Sequence, residues 1–146
     1  MTALNSFFRA DWAFKRLLLV VWFLLAIGRL SVLLFPFRKI ATWMGKSNLE
    51  SAPESDPTQY TVLVRIASSI EAVSKYTFWK SNCFAQALCA HWILKRKKIS
   101  HTVYFGLQKD KATTMKAHAW LRVGDKIVTG RKGHEAYTVL GKFAHT

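Results

Sequence analysis

Residues 79–94 read WKSNCFAQALCAHWIL, and this stretch decides the expected fold. Ser81 or Asn82 is suited to cap a helix, because its side-chain oxygen can accept a free backbone N–H of the first turn. Cys83 then lies in that first turn, where the helix dipole and the unpaired N–H groups favour thiolate over thiol. Small or apolar residues follow Cys83 on the same face at spacings of four, three and four: Ala87, Ala90 and Leu94. The pattern predicts a helix that packs closely on a sheet and carries a thiol at its start.

The second cysteine, Cys89, lies about 240° around this helix from Cys83, so the two thiols point to different faces. We therefore interpret Cys89 as a buried structural thiol. Two cysteines do not make the disulfide framework of a small secreted protein, and the sequence has no four-ligand zinc pattern. Thiols in a reducing compartment, without a bound metal, are the expectation.

Strand-like sequence follows the helix. Residues 101–107 (HTVYFGL) have strand composition, and residues 115–122 (MKAHAWLR) alternate with period two. The alternation divides the second strand into one face with Ala117, Ala119 and Leu121 and another with His118, Trp120 and Arg122. Gly124-Asp125 suits a type II′ turn, which requires glycine at its first central position. Residues 126–129 and 135–143 are expected to form the third and fourth strands.

The amino-terminal region is apolar. Residues 17–28 carry no charge, Arg29 interrupts the run, and apolar sequence continues to Phe37. A membrane span needs about 20 apolar residues, and an arginine within it is costly. We interpret this region as a helical hairpin or long helix that packs on the rest of the domain or on a protein partner, ending near Pro36. Attachment to the membrane surface and a span or signal peptide are the alternatives.

Domain organisation follows from these patterns. Residues 1–48 are predicted to form an apolar helical region and residues 49–146 the core. The polar stretch 46–58, with two prolines, is expected to be a linker or long turn. Residues 60–73 have the periodicity of a helix with Val62, Ile66, Ile70 and Val73 on one face.

Composition limits the function classes. The chain has 146 residues, and its 51% of apolar residues excludes a disordered chain. Its net charge of +14 predicts an acidic partner. The only dense basic cluster, Lys95 to Lys98, directly follows a predicted helix, where cations suit the negative end of the dipole. A docking patch for an acidic peptide, lipid or nucleic acid is the alternative.

A thiol at a helix start is thus followed, 35 residues later, by His118 on a strand. An imidazole can take the proton of Cys83 and return it to a leaving group. By itself this pairing is a weak signal, since a buried cysteine and a surface histidine would give the same pattern.

The segments NCFAQAL (82–88) and AHAWLRVGDKIVTG (117–130) resemble the transglutaminase-like cysteine peptidases that remove leader peptides in lasso peptide biosynthesis. The stretch PFRKIATWMG (36–45) is similar to that family as well. The resemblance implies an α+β fold with a papain/transglutaminase-like core, in which the Cys-bearing helix packs on a small antiparallel sheet after apolar N-terminal helices. It also implies a catalytic Cys83–His118 dyad, no cofactor, and hydrolysis of one peptide bond in a precursor. The backbone N–H of Cys83 is the expected oxyanion donor.

In several members of the family that this sequence resembles, an aspartate lies twelve residues after the histidine, and this chain has Gly130 at that position. Asp125 is the nearest carboxylate in sequence and is the candidate third catalytic residue. A turn at residues 124–125 places it at the hairpin tip, however, roughly 16 Å along the strand from His118, with residues 129–131 beside the imidazole instead. The Thr129 hydroxyl, a backbone carbonyl or the Asn82 side chain are the alternatives.

The resemblance also suggests partners. The expected ones are the precursor with its leader peptide, a separate leader-recognition protein that docks on the N-terminal helices, and the lasso cyclase. The chain is expected to be cytoplasmic, with a contact to the membrane surface as an option, and nucleic acid is not an expected partner. A transglutaminase-like acyl transferase and a non-catalytic basic membrane-associated module are the alternative functions.

Overall fold

The computed structural model describes residues 8–77, 82–110 and 114–146. Its helices are α1 (Trp12–Leu34), α2 (Phe37–Ala41), α3 (Tyr60–Tyr76) and α4 (Cys83–Arg96). Its strands are β1 (Lys46–Ser47), β2 (His101–Asp110), β3 (Thr114–Val123), β4 (Lys126–Thr129) and β5 (Thr138–His145). Short 3-10 turns lie at Pro57–Gln59 and His134–Ala136.

The strands form one antiparallel sheet in the order β1-β5-β2-β3-β4. Helices α1, α3 and α4 pack together, and α4 lies against β3, β4 and β2. One continuous apolar core joins the helices to one face of the sheet; its members include Val21, Leu25, Ile66, Leu88, Val103 and Leu121. The predicted α+β class, with a Cys-bearing helix on an antiparallel sheet, is confirmed.

The small residues of α4 have the packing role that their spacing predicted. Ala87 and Ala90 are fully buried. On the α1 side, a Cβ atom at Gly28 would lie 3.1 Å from the Ala85 carbonyl oxygen, so the two helices approach closely only because Gly28 has no side chain. Cys89 is buried, its sulfur lies 3.9 Å from a carbonyl oxygen of α1, and burial raises the pKa of its thiol. Its structural role is confirmed.

The hairpin between β3 and β4 has the predicted turn, but its register shifts by one residue at an irregularity between Leu121 and Arg122, so that Leu121 pairs with Thr129. Gly124 has φ of +56° and Asp125 does not have a positive φ, which is the combination of a type II′ turn. The last strand differs from the prediction of 135–143, since β5 begins only at Thr138. Gly133, at φ +76°, leads into a 3-10 turn that uses residues 134–136 before the chain becomes extended.

The segment 46–58 is not a free linker. Lys46 and Ser47 pair with β5. The buried Ser51 donates its backbone N–H to the Thr102 hydroxyl at 2.8 Å, and the two hydroxyls share a second hydrogen bond of 2.8 Å. A two-residue strand is too short to show periodicity, so its pairing depends on tertiary packing alone. The segment therefore lies against the sheet and is fixed to two of its strands.

The apolar N-terminal region forms one long helix, α1, which ends before Pro36 as predicted. Its buried side consists of Val21, Leu25, Gly28 and Ser31. By length and composition α1 is the one helix among the described residues that could cross a membrane, a test that core helices and signal sequences also pass. In the structure one of its sides packs on α3 and α4.

His91 of α4 and His101 of β2 form a buried polar contact. His91 Nε2 lies 3.0 Å from the Trp43 carbonyl oxygen, His101 Nδ1 lies 2.8 Å from the Ile99 carbonyl oxygen, and His91 Nδ1 lies 2.8 Å from His101 Nε2. Two neutral rings hold two N–H protons, so they can complete only two of these three contacts. A third proton would complete the set but would place a cation in the core.

Burial is the main reason that the pKa values of His91 and His101 lie below 6.5, and the nearby Lys95 and His145 lower them further by repulsion. Because unfolding restores the ordinary pKa, the unfolded chain binds more protons below pH 6.5, and stability is lost as pH falls. We expect the free energy of unfolding to fall by about 1.4 kcal/mol per pH unit for each histidine. Urea titrations between neutral and mildly acidic pH measure this slope. His91→Gln should roughly halve it, and an unchanged slope would contradict the assignment.

Candidate active site

Cys83 is the first residue of α4, as predicted. Asn82 caps the helix, since its side-chain oxygen accepts the Ala85 backbone N–H at 3.0 Å; Ser81, the other predicted cap, lies outside the described residues. Cys83 is half-buried and packs against the core. The sulfur therefore sits where the first-turn N–H groups and the positive end of the helix dipole act on it.

The cap can be tested separately from the chemistry. Asn82→Ala is expected to lower the free energy of unfolding by about 1 kcal/mol, because the Ala85 N–H loses its acceptor. Asn82→Asp keeps an acceptor and should retain the stability. Its carboxylate repels a thiolate, however, so alkylation of Cys83 by iodoacetamide should be slower than in the wild type. Equal alkylation rates in Asn82→Asp and wild type would show that the charge at the helix start does not act on Cys83.

His118 lies on β3 and is held by a backbone group of the neighbouring segment. Its Nε2 atom is 2.7 Å from the carbonyl oxygen of Gly130. A carbonyl oxygen only accepts, so Nε2 carries the proton and donates it. In the neutral ring Nδ1 is then unprotonated, and it is the nitrogen that can serve as a base.

Two aromatic rings pack against the imidazole of His118. The Trp120 ring stacks on His118 at 5.7 Å between centroids, and the Tyr137 ring lies at 4.9 Å. Gly106, the cross-strand partner of His118, makes room for them, because a Cβ there would lie 2.9 Å from Tyr137 Cβ. Sequence analysis did not identify Tyr137 or Gly106; a glycine inside a strand was the signal that could have indicated this close approach.

Gly130 explains why no aspartate orients His118. Its φ is +72°, and a Cβ atom would lie 2.4 Å from the Ala119 carbonyl oxygen and 2.8 Å from Trp120 Cβ. Only glycine fits without a backbone shift. The group that binds the imidazole is therefore a backbone carbonyl, one of the predicted alternatives. The Thr129 hydroxyl is buried without a hydrogen-bond partner in the described part of the chain. The Asn82 side chain bonds to the backbone of α4 instead.

Asp125 is placed away from His118. It lies at the β3–β4 turn, where its carboxylate accepts hydrogen bonds from Ser55 Oγ at 2.7 Å and Lys126 Nζ at 3.2 Å. These bonds, the Ser55 bond most, lower the pKa of Asp125. His118 is five residues from the turn-flanking Val123, or roughly 16 Å along an extended strand. The structure thus gives Asp125 a role in fixing the turn and does not bring it to the imidazole.

A short series of contacts connects the neighbours of Cys83 and His118 across α4, β2 and β3. The Phe84 ring packs on Phe105 at 4.9 Å, and Phe105 is paired with Ala119, the neighbour of His118. Alternation turns His118 to the face of Trp120, opposite the core face that Ala119 occupies. Within residues 8–77, 82–110 and 114–146, no hydrogen bond joins the Cys83 sulfur to His118.

The structure contains no alternative centre of metal chemistry in the part of the chain that it describes, since no three His, Cys, Asp or Glu side chains there are arranged to hold an ion.

Comparison with known proteins gives one match. A family model described as the transglutaminase-like superfamily matches residues 31–142, which is more than half of the chain and includes both Cys83 and His118. No curated protein and no solved structure matches.

Proposed function

Because the chain belongs to the transglutaminase-like superfamily, we propose that it is a cysteine peptidase that removes the leader peptide from a ribosomally made lasso peptide precursor. The observation that supports this most directly is the local environment of two side chains, Cys83 and His118. Cys83 stands at a capped helix start, and the Nε2–H of His118 is bound by Gly130, which leaves Nδ1 as the base. A transglutaminase-like domain supports thioester chemistry in general; the lasso substrate rests on the resemblance of residues 82–88 and 117–130.

In the proposed acylation, His118 Nδ1 takes the proton of the Cys83 thiol and the thiolate attacks the scissile carbonyl carbon. The oxyanion accepts a hydrogen bond from the Cys83 backbone N–H. The C–N bond then breaks, and His118 returns the proton to the leaving amine, which is the new N-terminus of the core peptide. The leader remains as a thioester on Cys83.

Deacylation uses the same base. His118 removes a proton from water, which attacks the thioester, and the C–S bond breaks to release the leader as a free acid and Cys83 as a thiol. Alternation turns His118 to the face of β3 opposite the one that packs on α4. The proposed mechanism therefore requires a rearrangement in the complex with the precursor that brings the imidazole to the sulfur.

The freed amine is the group that a separate lasso cyclase would join to a side-chain carboxyl of the core. The region after residue 82 carries twelve basic and three acidic residues, a balance of +9, which suits an acidic leader. A separate leader-recognition protein is the proposed third partner.

The test is product analysis by mass spectrometry after incubation with precursor peptides encoded beside the gene, with and without the recognition protein. Hydrolysis gives a leader with a free C-terminal carboxyl and a core with a free amine. An amine-linked leader would instead identify an acyl transferase. Added hydroxylamine should convert part of the leader to its hydroxamate if a thioester forms, and absence of both products would exclude the proposed chemistry.

A further inference from the structure

The side of α1 that faces away from the core is apolar along its whole length. We call this the α1 face: Leu19, Phe23, Ile27, Leu30 and Leu34. Each is between 48% and 70% exposed, and the spacing of three or four residues puts them on one stripe. α1 begins before the stretch that matches the transglutaminase-like superfamily, so most of this face lies outside the family's core. Exposed apolar surface of this extent marks a contact.

The charged residues of α1 and of the segment just after it are all basic. From residue 12 to residue 49 the chain has six basic residues, which are Lys15, Arg16, Arg29, Arg38, Lys39 and Lys46, and no acidic residue. The acidic residue just before α1, Asp11, lies 3.9 Å from Arg65 of α3. The α1 face is therefore an apolar stripe in a positive field.

An open groove of about 960 Å³ lies between α1 and the C-terminal end of α4. Its lining includes the apolar Val20, Leu24 and Trp92 and the cations Arg16, Lys95 and Arg96. None of these three cations forms an ion pair within the described residues. The apolar and the cationic lining residues together fit the acyl chain and the headgroup of an anionic phospholipid.

We propose that the protein docks on an anionic membrane surface, with the α1 face in the plane of the interface and the groove over lipid headgroups. This inference does not depend on the peptidase function. The mode is docking and not spanning, because the opposite side of α1 is buried against α4, where Gly28 meets Ala85. Interfacial helices bind in this way, with apolar residues in the acyl boundary and Lys or Arg near the headgroups.

Two other occupants fit the surface less well. A second copy of the chain would bring two strongly positive surfaces together, which like-charge repulsion opposes. An acidic amphipathic peptide could fill the groove, but the α1 face extends about 23 Å from Leu19 to Leu34 at 1.5 Å per residue, and Leu30 and Leu34 are not among the residues that line the groove. A lipid surface covers both features at once.

Vesicle flotation with the full chain tests the proposal. Vesicles of phosphatidylcholine with phosphatidylglycerol should bind the protein at least about tenfold more tightly than phosphatidylcholine alone, and added salt should weaken the binding. Phe23→Ser with Leu30→Ser should abolish binding, and Arg16→Glu with Lys95→Glu should weaken it at least about tenfold. Val64→Ser on α3 and Lys132→Glu, both exposed and neither part of the α1 face nor of the groove lining, are the matched controls.

Equal binding to both kinds of vesicle, or full binding by either double variant, would overturn the proposal. Resistance of the bound protein to extraction by alkaline carbonate would show a spanning helix and would overturn the in-plane orientation. Light scattering provides the last check. If a dimer forms in solution and Phe23→Ser with Leu30→Ser dissociates it while vesicle binding is absent, the occupant is a second copy.

Discussion

Replacement of Cys83 by alanine is expected to lower precursor cleavage by at least about 10⁴-fold, because the alanine variant has no nucleophile to form the thioester. The fold should be retained, since the side chain is half-buried and the cap at Asn82 stays intact. Cleavage is measured from the rate at which the core peptide appears in the mass spectrum.

The matched control is Cys89→Ala. Cys89 is fully buried, so its loss should cost about 1 to 2 kcal/mol of stability through a small cavity while most of the activity remains. Activity in Cys83→Ala close to that of the wild type would remove the enzyme proposal altogether.

The coupling of Cys83 to His118 has its own readout. Alkylation of Cys83 by iodoacetamide should be slower in His118→Ala than in the wild type, because the thiol loses its base. His134→Ala, which removes another histidine near Trp120, should leave the rate unchanged. Equal rates in all three proteins would mean that His118 does not act on the sulfur, and the dyad would be wrong.

The second large effect is expected at Gly130. Gly130→Asp would place a carboxylate next to His118, yet it should lower the free energy of unfolding by about 2 to 4 kcal/mol and should not raise activity. The left-handed φ of +72° and the 2.4 Å approach of a Cβ to the Ala119 carbonyl both oppose a side chain. A shift of this segment also moves the carbonyl that binds His118 Nε2, so cleavage should fall with stability. Chemical denaturation and the cleavage assay measure the two effects.

Gly133→Ala separates the two causes, because Gly133 has a similar φ of +76° and an added Cβ there would meet nothing within 4 Å among the described residues. It should cost only about 1 kcal/mol, the backbone preference alone. A Gly130→Asp protein as stable as Gly133→Ala and more active than the wild type would show that the carboxylate replaces the carbonyl with advantage, contrary to the geometry.

Much of the site could be predicted because it depends on local rules. A side-chain acceptor before Cys83 predicted the start of α4, and it does start there. Glycine at the first central position of the turn predicted its type, and the hairpin brings Gly130 next to His118 after a one-residue register shift that the turn did not predict. Local spacing is enough for such features, because caps and two-residue turns are determined by a few neighbouring residues.

Other features could not be predicted. The start of β5 at Thr138, the pairing of Lys46 with β5 and the contact of Ser51 with Thr102 depend on residues far apart in the chain. Whether Cys83 and His118 act together is of the same kind, and stays a prediction. The sequence shows that α1 is apolar, but it does not show that one apolar side packs against α4 while the other faces solvent.

The amino-acid order by itself determined that this protein has a thiol at a helix start, a histidine on an alternating strand and a hairpin that ends beside that histidine. Tertiary structure alone decided that a backbone carbonyl, and not a carboxylate, binds the imidazole, and that one side of α1 is left uncovered. The physical reason is that caps, turns and alternation are energies of adjacent residues, whereas the room for a Cβ at Gly130 and the burial of a helix face are set by atoms that the fold brings together from distant parts of the chain.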